Sequence, residues 1–272
     1  MPKYGVHSFL WHGQWTTELG NDAIRQSAEH GFDFIEITML RPQIFEAESH
    51  RKALKEAGIE AVFSLTLPKD AHMPHEPERA KQFLSLSMDK MEIVGSTLLA
   101  GCIGYSLGTL TGKPPQPEEL QVVIDTLGEV ALDAKRRGIT LALEVCNRYE
   151  TYMFNSLTDT RDVLKKIGSD NLFIHADSYH MNIEEEGFRK PLADIADVLA
   201  YMHMSESHRG LVGSGTIIWD DVFAGLVDAK YTGPLVLRII CGHQSRSGSG
   251  HLSCGGPLTA HLQCLLVRVW LS

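Results

Sequence analysis

The sequence lacks the features that mark several large classes of protein. Its 272 residues contain no run of eighteen or more apolar residues, so no segment is long enough to span a bilayer as a helix. Acidic residues outnumber basic ones by 34 to 25, which argues against nucleic acid or an anionic membrane surface as a partner. The first residues lack the apolar core of a secretory signal, and we therefore expect a cytoplasmic protein.

Cysteine pairs of the kind that bind zinc or form a disulfide framework are also missing. The cysteines are scattered and odd in number, and none of them forms a C-x-x-C pair. We expect reduced thiols at all five positions, which are Cys102, Cys146, Cys241, Cys254 and Cys264.

Short apolar runs alternate with amphipathic segments along the chain. The runs are rich in β-branched or aromatic residues and have the length of strands that are buried on both faces. They cover residues 4–9, 33–38, 60–65, 97–101, 139–145, 172–176, 199–204 and 234–240. Apolar residues at helical spacing predict helices at 117–137 and 219–229.

Glycine marks the junctions between these segments. Gly31, Gly58 and Gly138 stand where a helix should end and a strand begin, and Gly233 has a similar place before the last run. Alternation at about 30 residues per unit predicts parallel strands joined by crossover helices. About eight units fit, and no glycine-rich phosphate-binding turn follows the first strand. We therefore predict one closed (β/α)8 barrel, a TIM barrel of the α/β class, rather than an open sheet.

Ionisable side chains stand at the ends of three predicted strands, namely Glu144, Asp177 and His203. Because the carboxyl ends of barrel strands share one mouth, these side chains should meet there. Two oxygen ligands and one nitrogen ligand suit Mn(II), Mg(II) or Co(II), and suit zinc less well. Taken singly, a carboxylate at a strand end is usually a solvated loop residue, and a histidine beside an apolar run is more often a hydrogen-bonded core residue than a ligand. His72 and His75 lie in a proline-rich loop, where we expect both to be solvated.

Three longer strings carry a family resemblance. Residues 144–150 read EVCNRYE, residues 177–185 read DSYHMNIEE, and residues 203–209 read HMSESHR. In this order they resemble strings of the D-tagatose and D-psicose 3-epimerases, which are ketose 3-epimerases of the xylose-isomerase-like TIM barrel superfamily. The likeness runs over residues 4–237.

The resemblance implies an activity and a role for each matched residue. It implies metal-dependent epimerisation of a free ketose at C3, by removal and return of a proton through an enediolate, without an organic cofactor. Glu144, Asp177 and His203 would bind the metal, Mn(II) first among the candidates, and Glu144 would also act as acid and base. The residues that would bind the sugar are Glu150, His180 and Arg209. A homodimer or homotetramer is implied as well.

The last part of the chain departs from the family. Where strand eight of the family carries a glutamate, as fourth ligand and second base, this chain has Arg238, whose guanidinium can do neither. Residues 238–272 contain no Asp, Glu or Lys. We divide the chain into a barrel domain, residues 1–237, and an atypical tail, residues 238–272. We interpret the tail as the product of a shifted reading frame; the alternative is a divergent tail with a role of its own.

Other functions are compatible with the sequence. The superfamily includes hydroxypyruvate isomerases, inosose dehydratases and epimerases of phosphorylated ketoses, and the glycine-rich residues 210–215 could bind a phosphate. The strings at 147–148 and 180–182 favour a free ketose instead. Endonuclease IV fits less well, because it needs several zinc ions and a basic groove for DNA. Arg238 also allows a protein that binds a sugar without turning it over.

The reading-frame interpretation predicts the nucleotide sequence at codon 238. Codons for residues 238–245, RIICGHQS, can also encode ESFVAINP when they are read one base along, which puts glutamate at the position that the family requires. Sequencing the gene across this codon should find that glutamate codon in the neighbouring frame. Its absence there would contradict the interpretation.

Overall fold

The computed structural model describes residues 2–240, which contain eight β-strands and eight α-helices. The strands are β1 (Tyr4–His7), β2 (Phe34–Thr38), β3 (Glu60–Thr66), β4 (Leu98–Cys102), β5 (Thr140–Glu144), β6 (Leu172–Asp177), β7 (Leu199–Met204) and β8 (Leu235–Leu237). The helices are α1 (Thr17–Glu29), α2 (Ala47–Ala57), α3 (Pro77–Val94), α4 (Pro117–Arg136), α5 (Leu157–Ile167), α6 (Ser178–Glu184), α7 (Arg189–Asp194) and α8 (Trp219–Asp228). Most of the predicted tail, from residue 241 onward, lies outside the described residues.

The eight strands close into one parallel barrel in sequence order, and β8 pairs with β1. This closure confirms the predicted (β/α)8 fold. A helix lies between each pair of consecutive strands, and the β6–β7 connection holds two, α6 and α7. The predicted strand ends agree with the structure within one residue, except in β1 and β8, which are shorter than predicted.

Side chains of alternate residues point into the barrel, because successive residues of a strand face opposite sides. One inward layer is apolar and fully buried, separate from the larger core under the helices. It consists of Phe34, Ala100, Ala142, Tyr201 and Val236. The inward residues two positions further along the same strands form the next layer, nearer the carboxyl ends. They are Glu36, Cys102, Glu144, His203 and Arg238. A polar layer therefore lies directly above an apolar floor.

The glycines at the junctions confirm the predicted helix ends, with one correction. Gly31, Gly58 and Gly138 all have positive φ, between 70° and 78°. After α8 the positive φ, 51°, belongs to Lys230, and Gly233 is not among the residues with positive φ. The prediction for Gly233 is wrong because α8 ends at Asp228, and the positive φ that follows it falls on Lys230, three residues before this glycine.

Gly101 is a glycine that the barrel itself requires. Its φ is +100°, and a Cβ atom there would lie 2.3 Å from the carbonyl oxygen of Leu65, its neighbour across the β3–β4 pair. Gly128, in α4, has a helical backbone, and its nearest contact to an added Cβ would be 3.8 Å.

We predict that Gly101→Ala lowers the free energy of unfolding by about 2 kcal/mol or more, because it adds a backbone clash to an unfavourable φ. Gly128→Ala, the matched control, should raise it by about 0.5–1 kcal/mol. Urea unfolding followed by circular dichroism measures both. Equal stability of the two variants would contradict this account of the β3–β4 contact.

Candidate active site

The three predicted metal ligands come together at the carboxyl ends of β5, β6 and β7. Nδ1 of His203 lies 3.3 Å from Oδ2 of Asp177 and 3.7 Å from Oε1 of Glu144. All three residues are buried. Their convergence follows from the register, because Asp177 pairs with His203 and Glu144 pairs with the residue two before Asp177.

Glu36, on β2, holds His203 from the other side. Its Oε2 lies 2.7 Å from Nε2 of His203 and accepts a hydrogen bond of 2.8 Å from the hydroxyl of Tyr201. A carboxylate on one imidazole nitrogen fixes the ring and leaves the other nitrogen directed at a ligand, as in many metal sites. This role of Glu36 was not predicted from the sequence. Its signal was a lone glutamate at an inward position of an otherwise apolar strand, FIEIT.

Charge interactions control the protonation of His203 and Glu36. Burial by itself lowers the pKa of His203, but the charge of Glu36 and hydrogen bonds to Asp177 and Glu36 outweigh burial and raise the pKa to about 9. For Glu36, burial opposes ionisation, yet the charges of His203 and His7 hold its pKa well below the usual range. The metal-free pair is therefore an imidazolium beside a carboxylate at neutral pH.

Two of the predicted sugar-binding residues border the three predicted metal ligands. Arg209 donates from Nη1 to Oδ2 of Asp177 at 2.6 Å, and its Nη2 lies 3.0 Å from Nε2 of His180. The same His180 nitrogen is 3.7 Å from Oε1 of Glu144. Burial lowers the pKa of His180 to about 4, so the ring is neutral and can accept the hydrogen bond from Arg209. The guanidinium of Arg209 also lies 3.9 Å above the ring centre of Tyr179.

Glu150, the third predicted sugar-binding residue, is connected to His180 through Asn147. Asn147 bridges the gap, because its side-chain amide donates to Oε1 of Glu150 at 3.0 Å and lies 2.8 Å from Nδ1 of His180. Asn147 is buried, whereas Glu150 is half-buried. The structure thus links all three predicted sugar-binding residues to one network around Glu144.

Arg238 directs its guanidinium into the same site. Its Nε and Nη1 atoms are buried and have no hydrogen-bond partner among residues 2–240. Burial disfavours its charge, but the carboxylates of Glu144, Asp177 and Glu36 raise its pKa, so it stays protonated. Counted formally, three anions, Glu36, Glu144 and Asp177, face three cations, Arg209, Arg238 and protonated His203.

Two thiols complete the β4–β5 side of the site. Cys102 Sγ lies 3.9 Å from Cys146 Sγ and 3.8 Å from Oε2 of Glu144. Both cysteines are free, which confirms the prediction of reduced thiols for these two; the other three lie beyond residue 240. Burial raises the pKa of the Cys146 thiol.

One prediction for the loop histidines is wrong. His72 is buried, its Nδ1 accepts a hydrogen bond of 3.1 Å from the backbone N–H of Ser106, and its Nε2 lies 3.2 Å from the Tyr152 hydroxyl. The loop folds back against the segment after β4, which sequence spacing does not reveal. His75 is exposed and pairs with Glu119 at 2.9 Å, so its prediction is confirmed.

The donor set fits a divalent cation in part. Oε1 of Glu144 is buried without a hydrogen-bond partner in the described part of the chain, and Nδ1 of His203 lies 3.7 Å from it. The same His203 nitrogen lies 3.3 Å from Oδ2 of Asp177. Two carboxylates and one imidazole are suitable ligands for Mn(II), Mg(II) or Co(II). The positive charge of Arg238 lies beside these donors and opposes a divalent cation there.

The family model of the xylose isomerase-like TIM barrels matches residues 24–252 of this chain. That match defines the class of the protein. Across residues 2–240, we find no helix with the length and apolar character needed to cross a membrane.

Characterised relatives narrow the class further. A ketose 3-epimerase of Arthrobacter globiformis is 34% identical over 240 residues, which cover 87% of this chain and 83% of the relative. An L-ribulose 3-epimerase of Methylomonas sp. is 33% identical over 240 residues, covering 87% and 84%. A crystal structure of D-allulose 3-epimerase from Methylomonas sp. in complex with D-allulose has a TM-score of 0.86 at 31% identity, covering 89% and 85%. The chain belongs to the ketose 3-epimerase family, whose members are enzymes of the isomerase class.

We predict that Glu36→Gln lowers the pKa of His203 from about 9 to below 6.5 in the metal-free protein, because burial then outweighs the remaining interactions. A pKa raised in the folded state adds stability below pH 6.5 that is lost as the pH rises through about 9, so the variant should lose this pH dependence.

An NMR titration of the histidine ring signals, with His203→Gln for assignment, measures the change. Tyr201→Phe is the control, because it removes a hydrogen bond to Glu36 and leaves the charge in place. An unchanged pKa of His203 in Glu36→Gln would show that Glu36 does not control its protonation.

Proposed function

We propose that this chain acts on a free ketose and inverts the configuration at C3, by removal and return of a proton through an enediolate. The observation that carries the proposal is the convergence of Glu144, Asp177 and His203 at one barrel mouth, within a chain of the ketose 3-epimerase family. The named relatives act on ketoses, and one neighbouring structure contains D-allulose. A cytoplasmic location and a homodimeric or homotetrameric state remain predictions.

Glu144, Asp177 and His203 are the proposed ligands of a divalent metal, with Mn(II) as first candidate. When bound, such a cation stabilises negative charge that develops on oxygen atoms beside the reacting carbon. Glu36 keeps the His203 ring in the orientation that leaves Nδ1 facing the two carboxylates. The proton on His203 must leave before the ring can bind a cation, so metal binding should strengthen as the pH rises toward 9.

Glu144 is the proposed base that takes the C3 proton. Its Oε1 has no hydrogen-bond partner among the described residues, so a lone pair is available to a substrate C–H group. His180 and Arg209 lie next to this oxygen and to Asp177, where they can bind the hydroxyl and carbonyl oxygens of a sugar. Glu150 extends the same network through Asn147.

Arg238 limits the activity of the chain in its present form. Inversion needs a second group to return the proton from the opposite face of the carbon, and a guanidinium that stays protonated cannot exchange it at neutral pH. The same buried charge opposes a divalent cation. Arg238 therefore also supports a second candidate function, a protein that binds a sugar and turns it over slowly or not at all.

We predict that Arg238→Glu increases C3–H exchange of D-fructose or D-psicose in D₂O by at least about a hundredfold in the presence of Mn(II), because it restores a base. It should also tighten Mn(II) binding by about tenfold or more. NMR after removal of the metal measures exchange, and isothermal titration calorimetry measures binding.

Arg238→Gln is the matched control: it removes the charge without adding a base, so Mn(II) should bind more tightly while exchange stays low. Glu144→Gln in the Arg238→Glu background should abolish exchange. Fast exchange by the unchanged chain would mean that another group supplies the second base. If neither the unchanged chain nor Arg238→Glu exchanged the proton, the proposed substrates would be wrong, or the barrel would not function with residues 238–272 as its tail.

A further inference from the structure

Two thiols and one carboxylate oxygen form a compact cluster on the β4–β5 side of the barrel mouth. Cys102 Sγ lies 3.9 Å from Cys146 Sγ and 3.8 Å from Glu144 Oε2, and one donor atom from each residue lies within 4.8 Å of the other two. All three residues are buried.

These separations match the ligand shell of a tetrahedral thiolate centre. Zinc–sulfur bonds of about 2.3 Å at tetrahedral angles place two sulfur atoms about 3.8 Å apart, and place sulfur about 3.5 Å from a carboxylate ligand. The separation of the two sulfur atoms and that of Cys102 Sγ from Oε2 differ from this geometry by at most about 0.3 Å. A disulfide would instead require the sulfur atoms to approach to about 2.05 Å.

The backbone holds the three donors in place before any cation arrives. Gly101 pairs with Leu143, so Cys102 lies beside Glu144 on the neighbouring strand, and both point inward. Cys146 lies two residues after Glu144, and two hydrogen bonds fix its backbone. Its N–H donates to the carbonyl of Phe154 at 3.1 Å, and its carbonyl accepts from the side-chain amide of Asn155 at 2.8 Å.

The two oxygens of Glu144 face two different sets of neighbours. Oε1 lies 3.7 Å from both His203 and His180, on the side of the proposed Mn(II) ligands. Oε2 lies 3.8 Å from Cys102 Sγ, on the side of the thiols, and 3.9 Å from Nδ1 of His175. A divalent cation with two thiolates and one carboxylate has a net charge of about −1. Arg238, whose charge interacts with both Glu144 and Cys146, balances that charge.

We propose that Cys102, Cys146 and Oε2 of Glu144 form a binding site for a thiophilic divalent cation, Zn(II) or Cd(II), which shares only Glu144 with the other ligand set. Both thiols release their protons to solvent when the cation binds, and the fourth coordination position is left to water or a bound ligand. If Oε1 of Glu144 is the base of the proposed epimerase, a cation on Oε2 of the same carboxylate lowers the basicity of Oε1 and inhibits the reaction.

Cadmium binding tests the site directly. The full-length chain with Cys241, Cys254 and Cys264 changed to serine keeps only the two thiols of the cluster. Titration of this reduced, metal-free protein with Cd(II) should produce the ultraviolet thiolate-to-cadmium charge-transfer absorption, saturating at one equivalent. Cys146→Ser should remove about half of the absorption and weaken binding at least about tenfold. Asp177→Asn, which changes only the other ligand set, should leave the absorption intact.

Absence of the band, or a band that persists when Cys102 and Cys146 are both serine, would overturn the proposal. If the triple-serine background does not fold, the unmodified chain and its Cys102→Ser/Cys146→Ser variant give the same answer, as a loss of one equivalent of bound Cd(II). The band does not depend on turnover. A band without inhibition of C3–H exchange in Arg238→Glu would therefore leave the cation site standing and contradict only the role of Glu144 as the base.

Discussion

The parallel closure of eight strands is the constraint on which the rest of this structure depends. In a closed barrel, alternate residues of each strand must point inward, and parallel strands bring their carboxyl ends to one rim. Residues that are far apart in the sequence, such as Glu36 on β2 and His203 on β7, therefore meet at 2.7 Å. The apolar layer around Phe34 and Tyr201 fills the barrel below them.

Electrostatic balance sets what this rim can hold. Three carboxylates in one buried site repel one another, and they persist together only because cations accompany them. In this chain the cations are Arg209, Arg238 and the protonated ring of His203. At the proposed site, a metal ion would have to displace the proton of His203 and bind in spite of the positive charges of Arg209 and Arg238. Its affinity would therefore depend on how far the carboxylates outweigh these positive charges.

The sequence was sufficient to predict most of the fold and the convergence of Glu144, Asp177 and His203 at the barrel mouth, because strand alternation and residues such as Glu144 and Asp177 leave a local signal. It was not sufficient for contacts that only the tertiary structure creates. The pairing of Glu36 with His203 depends on barrel closure, and the burial of His72 depends on a loop that folds back. The 3.9 Å approach of Cys102 and Cys146 depends on the register of β4 and β5, which no spacing in the sequence reveals.

The apolar layer closes the barrel beneath the polar layer, so the site is open at one end only. Phe34, Ala100, Ala142, Tyr201 and Val236 are buried to at least 99% of their surfaces and fill the cross-section beneath the polar layer. Within residues 2–240, solvent therefore reaches Glu144 from the mouth alone. A molecule that binds in the mouth therefore closes the opening of the site. It excludes water from the charged side chains beneath it, and this strengthens its electrostatic interactions with them.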